Sequence, residues 1–357
     1  MGVADFSCLT LSSLLLGIMT HGIVAFNMLS NDNLAVYWGQ NSYGALNPDK
    51  PAHWQKTLSY YCRDNVIDTF PIAFLVDSYA KGNLPSIDLT NICNSGNAKY
   101  FPGTDLLDCS FLASDIEKCQ SAGKAVTISL GGGTGHIRFQ DDSQAAAYAQ
   151  TIWNLFLGGK SKTRPFGSAI LDGIDMDIED GSQTGYVSFL TALRKHMDRG
   201  KKKYYITAAP QCPFPDAHIG HTLNAVGFDA VYVQFYNNDC SLQHYNNRKD
   251  WNFATWDHWA KSASHNRDVK VYIGAPASSG AGSGYVSSKS ITSIIHQTRS
   301  DYSSFGGVML WDVSDAYAND RYDKAVKQAL RSDVDLFNKR IRDQYLSETR
   351  NITHDED

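Results

Sequence analysis

The chain has no block of basic residues. Its 357 residues carry 32 Lys and Arg against 37 Asp and Glu, a formal net charge of -5. Nucleic acid and anionic membrane surfaces are held by clustered positive charge, so neither is expected as a partner. No CxxC pair and no HxxxH occurs, so the common zinc-ligand spacings are missing and no metal is expected. The glycine run Gly131-Gly132-Gly133 is followed by Thr134-Gly135-His136, not by the Lys and Ser or Thr that a phosphate loop requires. No cofactor is expected.

Positive charge is also missing at the start of the chain. The first charged residue is Asp5, and no Lys or Arg precedes the apolar run from Cys8 to about Leu29. Within it, Leu9 to Met19 reads as the apolar region of a secretory signal peptide, and Ala25 suits the end of a cleavage site. Residues 1–25 are therefore assigned to a signal peptide, with no stable membrane span after processing and a location outside the cell or in the wall. Cys8 falls in that segment. The other six cysteines, Cys62, Cys93, Cys109, Cys119, Cys212 and Cys240, are an even set, as disulfides in an oxidising compartment require. Their pairing stays open at this level. Asn351-Ile352-Thr353 is an N-glycosylation sequon. From about Asp333 the chain turns polar and charged, and residues 333–357 read as a C-terminal helix or tail. No Ser/Thr/Pro-rich stalk, Cys-rich module or apolar anchor signal is seen there.

Hydrophobic residues make up 43% of the chain, enough for one large core. Eight short apolar segments recur: Leu34–Trp38, Ile67–Leu75, Ala125–Leu130, Ala169–Ile178, Tyr204–Ala209, Ala230–Phe235, Val271–Ala275 and Gly307–Leu310. Buried parallel strands read in this way. Helical stretches alternate with them, among them 143–157 and 186–197, whereas the gap between the fifth and sixth strands leaves room only for a degenerate helix. Eight rounds of strand and helix predict an α/β fold, a (β/α)8 TIM barrel forming one catalytic domain over 26–332. One long connection, from about Asp77 to Asp108, follows the second strand.

The fourth strand carries the chemistry. Asp175, Asp177 and Glu179 alternate with Ile174, Met176 and Ile178. Alternate residues of a strand share a face, so the three acids point into the barrel while the apolar residues pack under the helices. Glu179 would stand at the C-terminal end, where barrel active sites lie. Carboxyls this close raise one another's pKa, which suits an acid catalyst. A solvated strand face fits a barrel poorly, and a calcium site would call for a loop with backbone ligands.

Asp172-Gly173-Ile174-Asp175-Met176-Asp177-Ile178-Glu179 resembles the DGxDxDxE signature of family 18 glycoside hydrolases. Further segments resemble the hevamine-like class III chitinases of plants and fungi. They are Ala35-Val36-Tyr37-Trp38-Gly39-Gln40-Asn41, Ser129-Leu130-Gly131-Gly132-Gly133, Thr207-Ala208-Ala209-Pro210-Gln211-Cys212-Pro213, Gln234-Phe235-Tyr236-Asn237-Asn238 and Gly307-Val308-Met309-Leu310-Trp311-Asp312. The resemblance covers about Asn33 to Leu330 in strand order. It implies a secreted, monomeric endo-chitinase acting on chitin or chitooligosaccharides, with Glu179, Asp177, Asp175 and Tyr236 catalytic. It makes Trp311 the floor under the sugar at the cleavage point, and Tyr37, Gln40, Gly132 and Gln234 lining of the cleft. His136 reads as a loop histidine. The disulfides it implies are Cys62–Cys119, Cys93–Cys109 and Cys212–Cys240. Around Val76-Asp77-Ser78-Tyr79 and Asp88 the sequence departs from the plant pattern, so sugar contacts away from the cleavage point are not carried over. Two other readings share the barrel: an endo-β-N-acetylglucosaminidase acting on N-glycans, and a non-catalytic chitinase-like lectin.

Overall fold

The computed structural model describes residues 25–332. The signal segment before Ala25, Cys8, the 333–357 tail and the Asn351 sequon lie outside the described residues.

Eight parallel strands close into a ring: β1 (Asn33–Val36), β2 (Thr69–Asp77), β3 (Ala125–Gly131), β4 (Gly173–Asp177), β5 (Tyr205–Ala208), β6 (Ala230–Gln234), β7 (Lys270–Pro276) and β8 (Phe305–Trp311). Each pairs with the next, β8 pairs with β1, and Ala35 against Thr69 completes the circle. The connecting helices are α1 (Leu58–Tyr61), α2 (Ala113–Ser121), α3 (Asp142–Phe156), α4 (Tyr186–Asp198), α5 (Gly220–Leu223), α6 (Phe253–Ser262) and α7 (Ser288–Asp301). Helical residues 322–332 follow β8. The structure is the (β/α)8 barrel that the strand–helix alternation predicts, and α5 is the four-residue remnant expected between β5 and β6.

Parity along the strands divides the core. Ile174, Met176 and Ile178 point outward into the apolar layer under the helices. Ala35, Tyr37, Ala73, Tyr205, Tyr232, Tyr272 and Met309 point inward and fill the barrel. Large tyrosines opposite small alanines pack the interior, so the barrel is a filled core rather than a channel. Phe26 closes the N-terminal end edge-on to Tyr205, with ring centroids 5.4 Å apart.

At that lower end three aspartates repeat one device. The Oδ2 atoms of Asp68, Asp172 and Asp229 accept the backbone N–H of Leu34, Val126 and Ile206 at 2.7, 2.8 and 2.8 Å. Each stands just before a strand and holds the start of its neighbour. Each is also paired with a cation: Lys327 at 2.7 Å, Lys202 at 2.8 Å and Arg194 at 2.7 Å respectively. This accounts for two boundaries that differ from the sequence reading. β2 begins at Thr69, after Asp68, and β4 begins at Gly173, after Asp172, rather than at Ile67 and Ala169. At its other end β2 runs two residues past Leu75, because Ser86–Ile87 pairs antiparallel with it.

Three cysteine pairs stand at bonding geometry. Cys62–Cys119 joins the end of α1 to α2, Cys93–Cys109 closes the excursion after β2, and Cys212–Cys240 links the loops after β5 and β6. Their Cα separations are 5.3, 6.1 and 6.0 Å. Closing a longer loop removes more entropy from the unfolded chain. The first pair spans 57 residues and the second 16. Replacing both cysteines by alanine should therefore cost about 4 kcal/mol at the first pair and about 3 kcal/mol at the second. Calorimetry should show a Tm fall on the order of 5 °C, larger for the first pair. The reverse ranking, or free thiols in the unreduced protein, would contradict the assignment.

Candidate active site

β3, β4 and β5 run in register so that Ser129, Asp175 and Thr207 lie side by side. All three face inward and are buried. Asp175 accepts three hydroxyls. Its Oδ2 accepts from Tyr37 at 2.6 Å and from Ser129 at 2.6 Å, and its Oδ1 accepts from Thr207 at 2.7 Å. One rung higher, Asp177 is buried opposite Gly131. Gln234, the last residue of β6, donates its Nε2–H to Asp177 Oδ1 at 3.0 Å and to the Ala209 carbonyl at 2.9 Å. Glu179 stands two residues past the end of β4 and is half-buried. Tyr236, two residues past β6, is buried with the inner cluster.

Burial raises the pKa of all three acids, though not equally. Asp175 is raised by burial, and its three hydroxyl donors pull it back. Asp177 is raised well above the usual carboxylate range, by burial first and then by the charges of Glu179 and Asp175, against a single amide donor. With one donor against three, Asp177 is the more strongly raised of the two. Glu179 is raised by burial; the Gln234 amide and then the His218 charge pull it down, and Asp216 pushes it up. Burial, followed by Asp177, Glu179 and Asp175, holds the Tyr236 phenol far above its ordinary value, so it remains a neutral O–H donor.

Trp311 ends β8 half-buried. Its ring is stacked on Phe74, with centroids 5.8 Å apart and planes 19° apart, and abuts Tyr37 at 5.4 Å. Gln40 sits at the mouth, its Nε2–H donated to the carbonyls of Ala73 at 2.9 Å and Asp88 at 3.1 Å. That amide ties the end of β1 to β2 and to the excursion. The glycine run also packs against the protein itself. A methyl on Gly131 would meet the Asp177 carbonyl oxygen at 2.3 Å, and one on Gly132 the Phe74 ring at 2.5 Å. These two glycines make room for the protein's own strand and ring. Gly133 is the exposed one, where a methyl would lie 3.5 Å from Glu179 Oε2. His136 is an exposed loop residue, 3.9 Å from Asp180.

The sequence reading singled out neither Ser129 nor Thr207 as contacts of the ladder. The available signal was parity, since both occupy inward positions on the strands flanking β4. It also missed Asp216, a buried acid that accepts the backbone N–H groups of Gln211, His218 and Ile219 at 2.8, 2.7 and 2.7 Å. Nothing in the sequence around Asp216 marks it.

A filled parallel barrel with stacked carboxyls rising to its C-terminal rim, beside a half-buried indole, has the layout of a barrel enzyme with an acid at its mouth. The chain belongs to the glycosyl hydrolases family 18, whose family model matches residues 33–300. It is 45% identical over 301 residues to Chitinase 2 of Rhizopus oligosporus, covering 84% of this chain and 52% of that protein. Over 335 residues it is 38% identical to Endochitinase 33 of Trichoderma harzianum, covering 90% of this chain and 99% of the relative. Among solved structures it resembles the ICChI chitinase from Ipomoea carnea, with 31% identity and a TM-score of 0.67, covering 83% of this chain and 99% of that one. The chain spans about half the length of several curated relatives that it matches, 52% and 49% for those from Rhizopus oligosporus and Saccharomyces cerevisiae.

The raised pKa of Asp177 makes folding stability depend on pH with a definite sign. A carboxyl raised on folding contributes stability below its unfolded pKa, about 4, and loses it as pH rises through the folded value. Asp177→Asn removes that term, since the amide never ionises and can still accept from Gln234. The Tm of the variant minus that of the wild type should therefore increase from pH 4 to pH 8. A difference that is flat across this range would mean that Asp177 is not held protonated by its neighbours.

Proposed function

We propose that this chain is a secreted, monomeric endo-chitinase that hydrolyses β-1,4-linked N-acetylglucosamine with retention of anomeric configuration. The observation that carries this reading is the ladder itself: Asp175, held by three hydroxyls, below Asp177, held by one amide, below Glu179 at the C-terminal rim of the barrel. The names of the relatives agree with it. A common retaining glycosidase sets a second carboxylate about 5–5.5 Å from its acid, across the anomeric carbon. Here Asp177 stands on the same ladder as Glu179 and is badly placed for that attack.

Substrate-assisted hydrolysis fits this arrangement. Glu179 gives its proton to the glycosidic oxygen as the C–O bond breaks. The carbonyl oxygen of the sugar's own 2-acetamido group attacks the anomeric carbon from the opposite face, forming an oxazolinium ion. Asp177 orients the acetamido N–H and, once its proton passes to Asp175, offsets the positive charge on the ring. Tyr236 donates its O–H to the acetamido oxygen. Glu179, now a carboxylate, takes a proton from water, whose oxygen opens the oxazolinium from the side the leaving group left. Two inversions give net retention. Trp311 offers an apolar face to the C–H groups of the sugar at the cleavage point, and Gln40 and Gly132 line the cleft nearby.

Glu179→Gln keeps the shape of the acid and removes its proton. Turnover of chitin oligomers should fall by about 10²–10⁴-fold while oligosaccharide binding persists. Activity within a few-fold of wild type would remove Glu179 from this role. Binding by the wild type without any turnover would support the lectin reading, and release of N-glycans in preference to chitin cleavage would support the endo-β-N-acetylglucosaminidase.

The stereochemistry separates mechanisms. Proton NMR of fresh product should show the β-anomer first, and an oligomer with a free amine on the sugar at the non-reducing side of the scissile bond should resist cleavage. Initial α-anomer, or fast cleavage of that amine, would exclude substrate assistance.

A further inference from the structure

Beyond Trp311 the chain turns directly into two buried acids that the proposed mechanism does not use. Asp312 and Asp315 are 0% and 2% exposed. Asp312 Oδ1 accepts the Ser314 N–H at 3.0 Å, the Ser314 hydroxyl at 2.6 Å and the Asp315 N–H at 3.1 Å. Its Oδ2 accepts the Ser42 N–H at 3.0 Å, across 270 residues of sequence. Asp315 accepts the Ser42 hydroxyl through Oδ2 and the Ser278 hydroxyl through Oδ1, the latter at 2.6 Å. Ser42 thus bridges both carboxylates, one through its amide and one through its side chain. Backbone bonds run alongside, from Ala277 N–H to the Trp311 carbonyl at 2.8 Å and from Val313 N–H to the Tyr37 carbonyl at 3.0 Å.

We propose that Asp312 and Asp315 are positioning residues, a two-carboxylate brace that fixes the Trp311 platform against the loops after β1 and β7. The inference rests on the reading of Trp311 as the floor under the sugar. Three features point to positioning rather than general cohesion. Asp312 is covalently next to Trp311, so its side-chain bonds restrain the backbone that aims the indole. The partners follow the two strands that flank β8 in the ring, so the brace holds the platform from both sides. No cation is paired with either acid among the described residues. The brace is built from fixed amide and hydroxyl donors, which impose direction as well as attraction.

Both oxygens of Asp312 face backbone N–H donors. Asp312→Asn must therefore turn its own NH₂ toward one of them, breaking the brace at nearly constant volume. Chitooligosaccharide binding can be measured by calorimetry in a Glu179→Gln background, where nothing is cleaved. Trp311→Ala should weaken binding about tenfold or more, and Asp312→Asn by a comparable factor. The double variant Trp311→Ala/Asp312→Asn should bind no worse than Trp311→Ala alone, because without the indole there is nothing left to aim. Asp257→Asn serves as the structural comparison. It alters a buried acid bonded to Ser304 at 2.7 Å and paired with Lys261 on the outer layer, and should lower Tm without changing the Kd. If Asp312→Asn fails to fold, Ser42→Ala removes the Asp315 hydroxyl bond more gently and takes the same double-variant test.

Wild-type binding by the brace variant, or losses that multiply in the double variant, would overturn the brace while leaving the platform intact. Unchanged binding by Trp311→Ala would instead overturn the platform reading, and the brace with it.

Discussion

Everything at the upper end of this barrel depends on one electrostatic constraint: three carboxyls on one strand face cannot all be charged at once inside a low-dielectric core. The protein resolves it by unequal hydrogen bonding. Asp175 takes three O–H donors and Asp177 one amide, so the upper rung is raised further than the lower. Glu179, at the half-exposed rim, is left with a raised pKa and a charge that can be exchanged with solvent or substrate. The order of residues along the strand thus sets the order of the shifts.

The two ends of the barrel treat acids in opposite ways. At the bottom, Asp68, Asp172 and Asp229 are each joined to Lys or Arg, and their task is to fix strand starts. At the top, among the described residues, Asp175 and Asp177 are held by hydroxyls of Tyr37, Ser129 and Thr207 and the amide of Gln234. Neutral donors locate a carboxylate without abolishing its affinity for a proton, and that affinity is what an acid catalyst needs. Barrels in general divide stability to the lower face and chemistry to the upper, and here the division appears in the choice of partner for each aspartate.

Much of this was legible in the sequence because parity is a local property. The alternation through Asp175, Asp177 and Glu179 predicts an inward acid face, and the apolar segments predict eight strands. The strand starts were less legible. An aspartate that caps a neighbouring strand looks like any other aspartate until register is known, so β2 and β4 were drawn too early. The same holds for Ser129 and Thr207, which matter only because register sets them beside Asp175. The glycine run was visible but its cause was not. Only packing shows that Gly131 and Gly132 yield space to Asp177 and Phe74, and that Gly133 is the one beside Glu179.

Tyr37 joins the two halves of the site. Its hydroxyl bonds Asp175 at the foot of the ladder, and its ring rests against Trp311 at the platform. Its backbone carbonyl accepts the amide that follows Asp312 in the chain. One residue just past β1 therefore contacts the foot of the ladder, the Trp311 ring, and the turn that follows that ring. A displacement of β1 would change the proton balance of the ladder and the tilt of the platform together. The substrate-assisted mechanism proposed above would demand such coupling, with the acetamido group meeting Asp177 and Tyr236 as its sugar ring settles on the indole. A site assembled from independent loops would need each to be correct separately. Here the closed sheet, with β1 bonded to both β2 and β8, makes the relation between acid and platform a property of the barrel wall.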